Sequence, residues 1–272
     1  MITKVLDIDG KEIDDLVLPP IFDTPYRPDI IKKVYVNLRS LSYQPQGRYP
    51  GAGEMISAES RNTGLGIARI ARARGEGFPR AGQAAGVAGV RHGRVAHPPV
   101  SWKIIDKKVN KKEKMLGFCS AIAATANKEI ITRRGHKTGQ ISNFPLVVSN
   151  EIEKIGKTSA LKKSLNSLGL QEDLSRSQSI KRIPSGKSRM RGRPRRTALS
   201  SIIVVSKGSS ICKLRHSLPG VEVKSLDELS VLDLAPGANP IRLTVYSKNA
   251  IEKLADKKKT RILKVTEMVT SL

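Results

Sequence analysis

Two short apolar runs flank a tight-turn signal at the start of the chain. Residues 2–8 and 13–18 are rich in Ile, Leu and Val, and the Asp9-Gly10 pair stands between them. An Asp-Gly pair between two such runs is typical of a β-hairpin turn. The pattern predicts an N-terminal hairpin that ends at Pro19-Pro20, since proline cannot donate to a strand ladder.

Further segments repeat apolar residues at helical spacing. Ile30, Ile31 and Val34 fall on one face, and Pro28 stands where a first-turn proline is tolerated. Farther on, Asn110 precedes another apolar stripe, with the Asn and Glu spacing of a capping box. These patterns predict helices over about 28–41, 110–135, 161–168 and 247–254.

Short apolar runs with β character alternate with these helices. They cover 144–148, 199–205, 221–223 and 243–246. Alternation of strands with helices favours an α/β fold with a mostly parallel sheet flanked by helices. We therefore predict a globular α/β domain, made of residues 1–44 and 103–254.

The segment 45–102 interrupts this pattern. Gly, Arg, Ala and Pro dominate it, and no helical or strand period is sustained. Such a length without its own structure is uncommon in a compact domain unless the segment is functional or disordered. We interpret it as a long functional loop, and Trp102 at its end is expected to anchor the loop base by stacking or by packing in the core, of which core packing is favoured.

Arginine supplies the positive charge of this loop. From Arg61 to His97 every basic residue except the histidines is Arg, and Glu76 is the single acid. A guanidinium binds phosphate with two parallel hydrogen bonds and stacks on exposed bases, which an ammonium cannot do. The interleaved glycines raise the entropic cost of ordering the loop. Composition alone leaves two interpretations open: a loop ordered on folded RNA, or a flexible arm that binds RNA loosely.

Two other segments are basic. Residues 181–196 are coil-like in composition and carry seven Arg or Lys beyond the first Lys, among Gly and Pro. The Lys257-Lys258-Lys259 run lies in a basic C-terminal tail, 255–272, which we expect to become ordered on a partner. The segment 181–196 cannot bury itself, because it has few apolar residues.

The whole chain is strongly basic. It has 49 Lys and Arg against 24 Asp and Glu over 272 residues, which gives a formal net charge of +25. A charge of this size attracts phosphate polyanions and indicates a nucleic-acid partner. Aromatic residues make up only 4% of the chain. A sheet that stacks bases on aromatic side chains is therefore not favoured. The composition favours recognition of the nucleic acid through its phosphates, its sugars and its shape.

Other classes of site find little support in the sequence. The chain has no apolar run of 18 residues and no basic head followed by an apolar segment, so we expect a cytoplasmic protein without a membrane partner. Cys119 and Cys212 lack metal-ligand spacing and fit reduced structural thiols. The histidines are scattered, and no dinucleotide or phosphate loop is complete. We predict no metal, no cofactor, no small-molecule substrate and no catalytic residue.

Several short motifs follow one another in order along nearly the whole chain. They are Tyr26-Arg27-Pro28-Asp29-Ile30-Ile31, Ser57-Ala58-Glu59-Ser60, Thr63-Gly64, Ala68-Arg69-Ile70, Arg80-Ala81-Gly82-Gln83, Ser120-Ala121-Ile122-Ala123-Ala124-Thr125-Ala126, Arg134-Gly135-His136, Pro145-Leu146-Val147-Val148, Pro219-Gly220-Val221-Glu222 and Leu234-Ala235-Pro236-Gly237-Ala238. Taken together, these motifs resemble the L-four family of large-subunit ribosomal proteins in its archaeal and eukaryotic form.

This resemblance implies a structural component of the large ribosomal subunit, not an enzyme. It implies a globular domain on the solvent side, contacts mainly with domain I of the large-subunit RNA, and a role in subunit assembly. It also implies that the loop lines part of the peptide exit tunnel and meets the L-twenty-two protein at the constriction. The tunnel-proximal candidates are then Arg69, Ile70, Arg72, Phe78 and Arg80.

Composition and resemblance together give the candidate RNA contacts. They are Arg48, Arg61, Arg69, Arg72, Arg74, Arg80, Gln83, Arg91, His92, Arg94, His97, Lys187, Arg189, Arg191, Arg193, Arg195 and Arg196. Two other functions are compatible with a basic α/β chain: an α/β enzyme acting on nucleic acid, and a free-standing chromatin protein or RNA chaperone. The enzyme would need clustered carboxylates or a cofactor loop, whereas the acids here are scattered.

Overall fold

The strands and helices of the computed structural model follow the predicted alternation. The structure describes residues 1–183, 185–193, 195–238 and 241–255. The strands are β1 (Ile2–Leu6), β2 (Glu12–Val17), β3 (Ala58–Ser60), β4 (Ala71–Ala73), β5 (Leu146–Val148), β6 (Lys181–Arg182), β7 (Arg196–Thr197), β8 (Ile202–Val205), β9 (Glu222–Ser225) and β10 (Thr244–Ser247). The helices are α1 (Pro28–Ser40), α2 (Lys111–Ala123), α3 (Lys128–Arg133), α4 (Thr158–Ser167), α5 (Gln171–Ser179), α6 (Lys187–Met190), α7 (Val231–Leu234) and α8 (Lys248–Ala255).

Six strands form the central sheet, in the order β2-β1-β5-β10-β8-β9. The β1–β2 hairpin is antiparallel, and every other neighbouring pair is parallel. Strands β5 and β8 are entirely buried. Continuous apolar strands of this kind belong to parallel sheets that are covered on both faces. The predicted α/β class and mostly parallel sheet are confirmed.

Both faces of the sheet are packed with apolar side chains. Along β8, Ile202 and Val204 join one core cluster, whereas Ile203 and Val205 join the other, because successive strand side chains point to opposite faces. The first cluster contains residues of α1, α2 and α8, and the second contains residues of α4 and α5. In α2, a Cβ at Gly117 would lie 3.0 Å from a methyl of Val34, so glycine allows α1 and α2 to approach closely.

The prediction of one continuous helix over 110–135 is wrong. Helix α2 ends at Ala123, a single 3-10 turn follows, and α3 begins at Lys128. The Asn127 side chain accepts a hydrogen bond from the amide of Glu129 at 2.9 Å, which caps the new helix. Asparagine competes with the helical backbone for such bonds, and it therefore favours a helix start over a helix interior.

The chain divides into two compact units. One consists of Met1–Arg39 and the described part of Lys107–Leu272, and the other is Ser40–Asp106. The first contains the six-stranded sheet, and the second contains the β3–β4 pair. Of the predicted C-terminal tail, only Ala255, the last residue of α8, lies within the described residues.

Polar side chains fill the carboxyl edge of the parallel strands. Ser206 follows β8, and its amide and hydroxyl donate to the Glu153 carboxylate at 2.9 and 2.7 Å. The Ser247 hydroxyl, at the end of β10, donates to the same carboxylate at 2.6 Å. Burial opposes ionisation of Glu153, but these hydrogen bonds hold its pKa below the ordinary value. The edge where open α/β sheets usually bind ligands is thus occupied by the protein itself.

A buried arginine ties together the opposite, amino edge. Arg242 precedes β10 and is 1% exposed. Its guanidinium donates to the Gly220 carbonyl at 2.7 Å and pairs with Glu222 at 2.6 Å. It also donates to the carbonyls of Ser200 and Ser201. Arg242 therefore joins the starts of β8, β9 and β10.

Candidate nucleic-acid interface

The unit Ser40–Asp106 contains a small hydrogen-bonded scaffold. Strands β3 and β4 pair antiparallel, with Glu59 opposite Arg72. A third segment continues the ladder, because the Ala73 amide donates to the Gln83 carbonyl and the Ala85 amide to the Ala71 carbonyl, both at 2.9 Å. The sequence interpretation missed this scaffold, since three-residue strands rich in Ala and Arg carry no apolar alternation. The loop composition therefore does not mean that the backbone lacks local order.

Glycine permits close approaches within this unit. A Cβ on Gly47 would lie 2.8 Å from the Ser101 amide nitrogen, where the two arms of the loop run side by side. Gly53 has φ +84°, and a Cβ there would lie 2.8 Å from the Arg94 amide nitrogen. A larger residue at either position would push the segments apart.

Four of the candidate arginines contact the loop itself. Arg72 donates to the Gly82 carbonyl at 2.9 Å, and Arg48 donates to the Ala52 carbonyl at 2.6 Å. Arg74 forms an ion pair with Glu59, and Arg94 lies 3.8 Å from a Glu54 oxygen. Gln83, also a candidate, donates to the Pro79 carbonyl at 3.0 Å. These side chains stabilise the loop conformation in addition to any contact with RNA.

The other loop arginines point into solvent. Arg61, Arg69, Arg80 and Arg91 are exposed, and none has a side-chain hydrogen bond or ion pair within the described ranges. An exposed guanidinium without a partner keeps its five donors available for an external anion. His92 and His97 are also exposed.

Phe78, Arg80 and Arg91 surround a small cavity of about 260 Å³, together with His92. Phe78 remains 42% exposed. The structure thus brings two of the tunnel-proximal candidates, Phe78 and Arg80, to one place. Of the other three tunnel-proximal candidates, Arg69 is exposed, whereas Ile70 and Arg72 are partly buried. Trp102 is 71% exposed, so the favoured interpretation, that it packs in the core, is wrong.

The second basic segment, 181–196, has more local structure than its coil-like composition predicted. Strands β6 and β7 pair antiparallel, with Arg182 opposite Arg196, and the single-turn helix α6 lies between them. Gly186, with φ +66°, precedes that helix. Six candidate side chains are exposed here, namely Lys187, Arg189, Arg191, Arg193, Arg195 and Arg196. The segment therefore presents a short, positively charged hairpin to solvent.

A further basic site escaped sequence reasoning. Arg133, Arg134, Arg176 and Arg196 line one cleft of about 990 Å³ at the amino edge of the parallel strands. Arg133 ends α3 and Arg134 follows it, whereas Arg176 lies in α5 and Arg196 in β7. The residues are thus up to 63 positions apart in sequence, as the numbers 133 and 196 show. The one local signal was the Arg133-Arg134 pair, because spacing along the chain cannot reveal a cleft built from distant segments.

Within the described ranges, no three His, Cys, Asp or Glu side chains are placed so that they could hold a metal ion together. Among the same residues, no helix is both long and apolar enough to cross a membrane. Cys119 lies in the core, where burial raises the pKa of its thiol to about 12. This placement agrees with the predicted structural role for that cysteine.

Sequence comparison decides what kind of protein carries these basic surfaces. The model of the ribosomal protein L4/L1 family matches residues 16–257. The chain belongs to the ribosomal protein L4/L1 family. The match spans the loop, the second basic segment and the central sheet, and it confirms the resemblance seen in the motifs.

Curated L4/L1 relatives of similar length come from archaea. The large ribosomal subunit protein uL4 of Pyrobaculum aerophilum is 41% identical over 252 residues, which cover 92% of this chain and 88% of the relative. The uL4 of Methanosphaera stadtmanae is 38% identical over 253 residues, covering 93% and 96%. The uL4 of Sulfolobus acidocaldarius is 38% identical over 260 residues, covering 95% and 96%.

Membership of the L4/L1 family also excludes the alternative of an α/β enzyme that acts on nucleic acid. Members of this family are structural ribosomal proteins, and the chain is accordingly not an enzyme.

Proposed function

We propose that this structural constituent of the large ribosomal subunit works by laying its loop, 45–102, against large-subunit ribosomal RNA. The observation that carries the proposal is the set of four exposed, unpaired arginines on the β3–β4 scaffold, as found within the described ranges. Side chains of this kind bind phosphates without reading sequence, and they position a protein on folded RNA. The protein would then act in the cytoplasm, within the ribosome.

The scaffold favours an ordered loop over a loosely bound arm. Its backbone hydrogen bonds and the contacts of Arg48 and Arg72 restrict the free chain, which lowers the entropy that RNA binding must remove. Order of this kind suits a loop that threads between RNA helices. We therefore retain the family's implied role, in which the loop contacts mainly domain I and supports subunit assembly.

The cavity beside Phe78 supports a tunnel-proximal position for this part of the loop. An exposed aromatic next to Arg80 can face both a peptide and RNA. We propose that Arg69, Ile70, Arg72, Phe78 and Arg80 lie near the wall of the peptide exit tunnel, close to the L-twenty-two protein.

Measured affinity for ribosomal RNA tests the loop. The test variant replaces Arg61, Arg69, Arg80 and Arg91 with Gln, and the control replaces four exposed lysines of the other unit with Gln. The control lysines are Lys154, Lys157, Lys162 and Lys163. Both variants lose the same charge. When log affinity is plotted against log salt concentration, each lost phosphate contact reduces the steepness of the slope by about 0.7 to 0.9. The slope of the loop variant should therefore be less steep by about 3, and the slope of the control should change much less.

Sedimentation separates the ribosomal role from a free-standing one. The wild-type protein should remain with large subunits after a moderate-salt wash. The chaperone alternative predicts that it distributes to lighter fractions, and that outcome, or equal slopes for the two variants, would count against the proposal.

A further inference from the structure

The N-terminal hairpin is acidic in an otherwise basic chain. Residues 1–23 contain six Asp or Glu against two Lys, whereas the whole chain has 49 Lys and Arg against 24 Asp and Glu. Three of the six acids, Glu12, Asp14 and Asp15, lie on β2, and all three side chains are exposed. A surface of this sign repels phosphate, so the hairpin is not suited to RNA. It is suited to a positively charged partner.

Only part of this negative charge is neutralised within the protein. Glu12 pairs with Lys4 at 2.5 Å, and Asp14 pairs with Lys248 at 3.2 Å. Lys4 stands opposite Asp15 in the β1–β2 ladder, but its ammonium group bonds to Glu12. Among the described residues, Asp15 forms no ion pair of its own. Its carboxylate therefore remains open to a partner on the outer side of the hairpin.

Strand β2 lies at the edge of the sheet and has no neighbour on its outer side. Within the described ranges it pairs with β1 alone. The Leu18 amide donates to the Met1 carbonyl at 3.0 Å, and the backbone groups of successive residues in an antiparallel ladder point alternately toward and away from the partner strand. The amides and carbonyls of Val17 and Asp15 therefore face outward, and no backbone hydrogen bond from another described segment reaches them. Such an edge can accept an added strand.

Exposed apolar side chains accompany the acids on the hairpin. The exposed fraction is 73% for Val17, 53% for Ile13 and 72% for Ile2. Charged residues on an edge strand are a common protection against aggregation, and this alone would explain the acids. It does not explain apolar side chains toward both ends of the same strand. A binding surface that combines apolar contact with negative charge accounts for both.

The order of side chains along β2 defines the chemistry of the partner. Val17 and Asp15 are two positions apart and point to the same face of the sheet, where Ile2 stands opposite Val17. An added strand would place an apolar side chain beside Val17 and, two positions away, a Lys or Arg beside Asp15. A second copy of this chain would bring a second acidic edge, which the first would repel.

We propose that the outer edge of β2 is the docking site of an extended, basic segment from another protein of the large ribosomal subunit, which adds a strand to the sheet. Backbone hydrogen bonds to Val17 and Asp15 hold the segment. The exposed side chains of the hairpin select a segment with an apolar and a basic residue two positions apart. The proposal is independent of RNA binding by the loop 45–102, because it uses none of that loop's residues.

A labelled peptide of about eight residues, in which Val and Lys alternate with Thr, tests the charge requirement. Its affinity for the full chain is measured by fluorescence anisotropy. Asp15→Lys should weaken binding about tenfold, because an attractive cross-strand pair becomes a repulsive one. The control, Glu172→Lys, makes the same change of charge at an exposed position of α5 and should stay within about twofold of the wild-type affinity. Equal affinities for the two variants, or for a peptide with Glu in place of Lys, would overturn the proposal.

Two substitutions at Val17 separate backbone pairing from side-chain contact. Val17→Pro removes the outward amide hydrogen but no hydrogen bond to β1, and proline is tolerated at such a position of an edge strand. It should weaken peptide binding about fivefold, whereas Val17→Thr keeps the amide and should stay within about twofold. Urea unfolding verifies that both variants are folded. A folded Val17→Pro variant that binds the peptide as tightly as the wild type would rule out strand addition.

Cross-linking in purified large subunits identifies the neighbour of this edge. A photo-activated benzoylphenylalanine is placed at position 17 of the full chain, and the products are sequenced by mass spectrometry. The expected product joins position 17 to an extended segment of another ribosomal protein that has an apolar and a basic residue two positions apart. Products with RNA alone, products with a second copy of this chain, or no product at all would contradict the assignment.

Discussion

His136 and Asp173 face each other in the protein interior, with the histidine Nδ1 3.1 Å from both carboxylate oxygens. Burial lowers the pKa of His136 by more than the carboxylate raises it. Burial would raise the pKa of Asp173, but hydrogen bonds from His136 and Arg176 hold it well below the ordinary range. The pair therefore favours a neutral imidazole that donates to an ionised carboxylate.

This pair predicts loss of stability in acid, in two steps. Because the folded-state pKa of His136 lies below the unfolded value, the unfolded chain takes up that proton first, and stability falls as the pH drops through about 6.5. Asp173 contributes stability above its unfolded pKa of about 3.9, and this is lost as the pH falls further. Each step costs at most about 1.4 kcal/mol per pH unit.

Urea unfolding at several pH values between 8 and 3 checks this prediction. A His136→Gln variant should lose the dependence near pH 6 and keep the step at lower pH. A wild-type unfolding free energy that stays constant from pH 8 to pH 5 would contradict the assigned state of His136.

Replacing Arg242 should destabilise the sheet unit strongly. Arg242→Met keeps much of the volume but leaves Glu222 without its ion-pair partner and removes one donor from each of the carbonyls of Ser200, Ser201 and Gly220. Removing one partner of a buried ion pair costs about 3 to 5 kcal/mol, and the loss here should lie toward the lower figure because the Glu222 side chain is 25% exposed. Urea unfolding measures the loss, with Arg189→Gln as a control, since an exposed side chain should change stability by about 0.5 kcal/mol or less.

A methyl group at Gly53 should open the loop scaffold without unfolding the sheet. Gly53→Ala combines a positive φ with a clash against Arg94, whereas Gly139→Ala has neither. Amide hydrogen exchange should become faster over 45–102 in the first variant and stay unchanged in the second. Unaltered exchange in Gly53→Ala would show that the close approach at this glycine does not hold the loop together.

The tunnel assignment calls for point substitutions, because removing residues 67–81 would also remove β4. Phe78→Ala/Arg80→Gln leaves the β3–β4 ladder intact. If these side chains face the tunnel, large subunits should assemble normally and passage of nascent chains should change. Sucrose gradients and translation of a stalling reporter measure the two effects, and normal translation would argue against a tunnel-proximal Phe78.

The sequence was most informative where structure depends on near neighbours. The Asp9-Gly10 turn and the apolar run of β8 predicted the hairpin and a buried strand because both signals are local. The break at Asn127 was missed because a continuous apolar stripe outweighed one capping residue. The cleft could not be predicted, since Tyr26, Arg134 and Arg196 come together only through the packing of distant helices and strands.

The carboxylate of Glu153 has a practical consequence for protein engineering. It sits where a small molecule would enter a sheet of this type, and three hydroxyl or amide donors hold it there. A designer who wanted to give this scaffold a pocket for a metabolite would first have to replace Glu153 and supply new partners for Ser206 and Ser247.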